Sequence, residues 1–152
     1  MVLAVYLVTC WLVVGLLAFI KRSISNREIG FYFLFFTLMN SHLYEIVAAI
    51  FKAISFNDDP SKYIAYTLYK CFVVPLVLTF FFVLVFNTTG MIARFMQAVG
   101  MLLLIGTFEW FNTSEELVTY AKWSIHFSLL FVTLLMILGF LCHKVFKRLG
   151  WT

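Results

Sequence analysis

Five long apolar stretches, separated by short polar breaks, set the pattern of this chain: residues 2–20, 30–53, 63–86, 91–111 and 117–142. Each is about as long as the roughly 20 residues a helix needs to cross a bilayer core. The runs are continuous rather than alternating in and out with period two, so the pattern predicts helices and not the strands of a membrane barrel. The breaks carry helix punctuation. Ser25 and Glu28 have the spacing of a capping box that opens the second helix. Asp59 and Pro60 fit the cap and first helical position of the third. The Asn87-Thr88-Thr89-Gly90 stretch is a tight polar turn, and Thr113 with Glu116 offers a further capping box before the fifth helix. Short connections make consecutive helices antiparallel neighbours. The expected fold is therefore all-α: a five-helix integral membrane bundle forming a single domain over residues 1–152.

Composition strengthens this reading. Hydrophobic residues make up 64% of the chain and charged ones 12%, against roughly 45–50% and 25% in soluble domains. The mean hydropathy is +1.02, leaving too little polar surface to cover a water-soluble fold. The net charge of +4 does not point to nucleic acid, because the basic residues flank the apolar runs and read as topology determinants. Lys21, Arg22, Arg27, Arg94, Lys144, Lys147 and Arg148 fall on one side of the expected membrane, against Lys52 and Lys62 on the other. That bias predicts an N-terminus outside and a C-terminus inside, with the first apolar run a retained span rather than a cleaved signal. Cys10, Cys71 and Cys142 stand singly, with no metal-binding or disulfide spacing, and read as packing residues. The sequons at Asn87 and Asn112 read as helix caps.

The candidate chemistry lies in the polar residues placed inside apolar runs. An ionisable side chain in a span costs about 2.5–3.5 kcal/mol on insertion scales, so it is expected to face the bundle interior and to have a partner. His42 and Glu45, three apart, share a helix face, with Ser41 close by and Asn40 pointing elsewhere. Lys70 sits in the third run, Glu109 at the end of the fourth, and Lys122 and His126 in the fifth. At about 1.5 Å per residue, Glu45 and Lys70 both lie about 11–12 Å from the outer ends. The expected pairings are Glu45 with Lys70 and Glu109 with Lys122, in one cluster in the outer half of the bilayer. Pro75 is expected to kink the third helix, a candidate hinge that frees a carbonyl near Cys71. Trp110, Tyr120 and Trp123 read as an outer aromatic belt, and His143 as an interfacial residue.

The second half, from Tyr69 and Pro75 through Glu109 to the Tyr120-Ala121-Lys122-Trp123 stretch and the basic tail, resembles small multi-span membrane proteins of endospore-forming Bacillota. The resemblance covers roughly residues 63–149 and implies a bacterial cytoplasmic membrane and a connection to the spore-forming lifestyle. It carries no activity and no functional residue.

No nucleophile motif, phosphate loop or zinc-protease helix occurs, so no catalytic residue and no metal ligand set is assigned, and no cofactor is expected. The reading is a non-enzymatic subunit or accessory protein whose partners are the bilayer and either a second copy or another membrane protein. The alternative is an ion-, proton- or small-solute-conducting protein using the polar cluster. A haem or metal protein, with His42, Glu45, Glu109 and His126 as ligands, comes third.

Overall fold

The computed structural model describes residues 2–20, 24–49, 52, 54–121 and 123–148. Its elements are α1 (Val2–Phe19), α2 (Asn26–Ala49), β1 (Ile54–Phe56), α3 (Pro60–Leu68), a π-helical turn (Tyr69–Val73), α4 (Val74–Asn87), α5 (Met91–Ser114), β2 (Val118–Tyr120) and α6 (Ile125–Arg148). Because the π turn joins α3 to α4 without a break, Pro60–Asn87 is one rod. The molecule is thus an all-α arrangement of five long helical pieces with a small strand pair at one end.

The helix starts follow local chemistry. At α2 the Ser25 N–H donates to Glu28 Oε2 (2.7 Å) and the Glu28 N–H donates to Ser25 Oγ (3.3 Å), the reciprocal box expected from the sequence. At α3 the Ser61 N–H donates to Asp59 Oδ1 (2.9 Å), and Pro60 takes a position whose missing N–H leaves nothing unpaired. Between α4 and α5, Arg94 Nε and Gln97 Nε2 reach back to the carbonyl and hydroxyl of Thr88 and close the polar turn.

The fifth run behaves differently from the expected helix over 117–142. Thr113 does not cap a new helix; its hydroxyl donates to the Trp110 carbonyl within α5 (2.8 Å), which continues through Ser114. Glu116 then adopts φ +55°. The Glu116 N–H donates to the Thr113 carbonyl (3.2 Å) and the Leu117 N–H to the Asn112 carbonyl (2.9 Å). This is the Schellman way of ending a helix, here with glutamate where glycine is usual. The chain leaves extended, and β2 pairs antiparallel with β1: Ile54 opposite Tyr120, Ser55 opposite Thr119, Phe56 opposite Val118. Helix α6 begins only at Ile125.

The α4 half of the rod is central, with Val74, Val77, Leu78, Phe81, Phe82 and Val85 all buried. It packs against α1, α2 and α5, while α6 closes on α5 and α2. Four pieces, Val2–Phe19, Pro60–Asn87, Met91–Ser114 and Ile125–Val145, are long and apolar enough to cross a membrane. Helix α2 is as long as α5, yet the polar residues along its length keep it out of that set.

Candidate functional site

Beneath the strand pair, the Glu109 side chain is fully buried, and phenols from three other parts of the chain converge on it. Its Oε1 accepts from Tyr44 of α2 (2.8 Å) and from Tyr69 of the π turn (3.0 Å), and its Oε2 accepts from Tyr120 of β2. One turn further along α5, Asn112 Oδ1 accepts from Tyr6 of α1. The Tyr6 ring lies 5.4 Å from that of Tyr69, Tyr69 lies 6.0 Å from Tyr66, and Tyr66 stands edge-on to Tyr44 at 6.2 Å. Five tyrosines therefore surround one carboxylate and one carboxamide, with α1, α2, the Pro60–Asn87 rod and α5 each contributing a polar group. Among the described residues, the Tyr66 hydroxyl and Asn112 Nδ2 in this enclosure have no hydrogen-bond partner.

Three O–H donors to one acceptor-only group suit a carboxylate, whose two oxygens offer about four lone-pair sites. Among the described residues no basic side chain pairs with it; neutral dipoles take the place of a counter-ion. Outside the helices, burial first and the Glu109 charge second hold the Tyr120 phenol above the ordinary tyrosine range, so it stays a donor.

The other expected site residues are distributed, not gathered. Lys70 is buried, but its Nζ stands 5.8 Å above the Phe56 ring of β1 and makes no ion pair among the described residues. Glu45 does not meet it: its carboxylate lies 3.9 Å from His42 Nδ1 on the outer surface of α2, with the two side chains 69% and 64% exposed. His126 is exposed at the start of α6. Lys122, the expected partner of Glu109, lies outside the described residues. The physical reason is helix phase. Thr37, Asn40 and Tyr44 face the bundle, which turns His42 and Glu45 outward.

Asn40, expected to point away, is the fully buried member of its stretch. Its Nδ2 donates to the Lys70 carbonyl at 2.6 Å. In the π turn the Val74 N–H goes to Tyr69 O, and the next residue, Pro75, has no N–H, so Lys70 O is left without its in-helix donor. The Thr37 hydroxyl approaches the neighbouring Cys71 carbonyl at 3.4 Å. The irregularity at Pro75 is thus held from α2 by the Asn40 and Thr37 side chains.

At the opposite end, Tyr32 and His143 Nδ1 are 2.7 Å apart, Phe86 stacks on the His143 ring at 4.0 Å, and Glu28 Oε1 lies 4.0 Å from the same nitrogen. His143 is therefore packed between α2 and α4 instead of lying free at an interface. Asn112, fully buried, is likewise no glycosylation acceptor. The four-residue spacing of Tyr32, Phe36, Asn40 and Tyr44 was the signal that marks the inward stripe of α2.

No group of three or more His, Cys, Asp or Glu side chains able to hold a metal occurs among the described residues. No protein family, characterised protein or solved structure matches this chain.

Proposed function

We propose that the chain is a five-span protein of a bacterial cytoplasmic membrane, N-terminus outside and C-terminus inside, acting without catalysis as a subunit or accessory protein that packs through its helices. The observation that carries the reading is how the two kinds of surface are divided. Outward faces are apolar, with Trp11 and Leu12 on α1, Met91, Ile92, Phe95 and Leu103 on α5, and Leu130, Ile137 and Leu141 on α6. Inside, the Glu109 carboxylate is saturated by phenols, a fastening more than a conduit. Helix α2 counts as the fifth span because its polar inner stripe is satisfied by the bundle, as buried polar groups in membrane helices must be.

The test uses the intact chain in native membranes. The protein should stay in the pellet through high-salt and concentrated-urea washes, and a C-terminal reporter should be protected from external protease. A photo-reactive residue at Phe95 should give a discrete protein adduct. Release by the washes, or labelling of lipid alone from every outward helix face, would overturn the reading.

A second reading, conduction of protons or small ions, draws on one observation: beside Glu109 the Tyr66 hydroxyl and Asn112 Nδ2 have no hydrogen-bond partner among the described residues. It requires a flux in liposomes that Glu109→Gln abolishes and that a change at Phe95 leaves intact.

A further inference from the structure

The outward face of α2 carries a feature that its inward packing does not use. Leu34, Leu38, His42, Glu45 and Ile46 are all exposed, and steps of four, four and three place the first four in one stripe along one side of the helix. The ionisable pair lies one to two turns inside the described end of α2 at Ala49. Asn40 meets a carbonyl ten residues inside the rod that starts at Pro60, about 15 Å along it. Tyr44 reaches the buried Glu109. His42 and Glu45 straddle that level, below the strand pair and flanked by apolar side chains. Toward hydrocarbon such a face is costly.

Nor do the two residues satisfy each other. Their closest atoms are 3.9 Å apart, beyond hydrogen-bonding distance, and neither makes another polar contact among the described residues. What the stripe does possess is its own complement, one acid and one imidazole a single turn apart. Two copies inserted in the same direction and related by a two-fold axis along the membrane normal bring identical depths together. His42 and Glu45 differ by three residues, about 4.5 Å along the helix, so each His42 reaches diagonally to Glu45 of the other copy in two equivalent crossed contacts, while the Leu34 and Leu38 side chains interdigitate below. No charge from a third party is needed.

We infer that the Leu34–Leu38–His42–Glu45 stripe of α2 is a parallel homodimer interface, closed by crossed His42–Glu45 contacts between two copies of this chain. The inference rests on the membrane reading above.

Differently tagged copies, co-expressed and extracted together, test it through charge. Wild-type copies should capture each other. Glu45→Lys makes the stripe wholly basic and His42→Glu makes it wholly acidic, so each variant should lose self-capture by about tenfold, given the usual worth of polar contacts between membrane helices. Co-expressing the two variants should restore capture, which misfolded chains cannot do. A photo-reactive residue at Leu38 should give an adduct of twice the 17.7 kDa chain. Undiminished self-capture by either variant, no recovery in the mixed pair, absence of wild-type capture, or an adduct at 38 with lipid or a different protein would each overturn the interface. If the chain nonetheless resists urea washing, the membrane reading stands and the dimer alone fails; if it washes off, both fall.

Discussion

Glu109 shows what a single residue can do when burial removes water from the comparison. Its two oxygens collect hydroxyls from α2, the π turn and β2, so one carboxylate joins three separate segments to α5. Glu109→Leu would leave three buried phenols without their acceptor. At about 1–3 kcal/mol for a stranded buried donor, and with partial rearrangement, the expected loss is about 3–5 kcal/mol. Tyr44→Phe, which removes one donor and strands nothing, should cost about 1 kcal/mol; thermal unfolding in detergent distinguishes the two. Little of this was legible beforehand. An acidic residue ending an apolar run was visible, as was its need for a partner, but a cation was the natural expectation, and tyrosines scattered over the chain do not advertise that they converge. The phase of α2 is hard to read from sequence for a related reason. His42 and Glu45 draw the eye because they ionise, whereas the inward stripe is made of quieter groups, Tyr32, Asn40 and Tyr44.

Among the elements, the rod Pro60–Asn87 and its neighbour α2 are one construction. Pro75 deprives the π turn of a donor, and Asn40 supplies it from outside. The two should be energetically coupled. Asn40→Ala alone should destabilise by about 1–3 kcal/mol, as expected for a stranded buried carbonyl. In a Pro75→Ala background, where an N–H is available, the loss should shrink, leaving a coupling of about 0.5–3 kcal/mol in a double-mutant cycle. The meeting of α6 with the core depends on a missing side chain: a Cβ at Gly139 would lie 2.6 Å from Phe82 Cζ and 2.8 Å from Phe36 Cζ. Gly139→Ala should therefore push α6 outward and cost about 1–3 kcal/mol, the usual range for overpacking, seen as a lowered melting temperature. Element starts were readable because Ser25 with Glu28, and Asp59 with Pro60, have distinctive chemistry. The end of α5 was not, since glutamate at 116 carries out a glycine's task, and strands of three residues are too short for any alternation to register.

For the molecule as a whole, the division between a polyphenolic interior and apolar outer faces dominates. It makes stability depend on alkalinity in a defined direction. The Tyr120 phenol is held above its ordinary value of 10.0 by burial and by Glu109, so the folded state keeps this proton longer than the unfolded chain does. Up to about pH 10 both states are protonated and nothing changes; above it the unfolded tyrosine ionises first, and stability falls as pH rises further. Unfolding followed between pH 8 and 11 should show that decline, and Tyr120→Phe should make it shallower. The all-helical architecture and its apolar character were plain from the run lengths. Which faces look inward was not, because period alone cannot say where a helix begins its turn.

The pairing of Ile54–Phe56 with Val118–Tyr120 also governs how this bundle can move. It ties the link between α2 and α3 to the link between α5 and α6, so two helical hairpins are clasped at one rim. Any breathing of the assembly must then hinge at that clasp and widen toward the far rim, where Tyr32, Phe86 and His143 hold the remaining seam. Backbone amides of the buried α4 stretch should be the last to exchange with deuterium, those paired across the clasp should exchange sooner, and those around Glu28 should be among the first of the interior to do so.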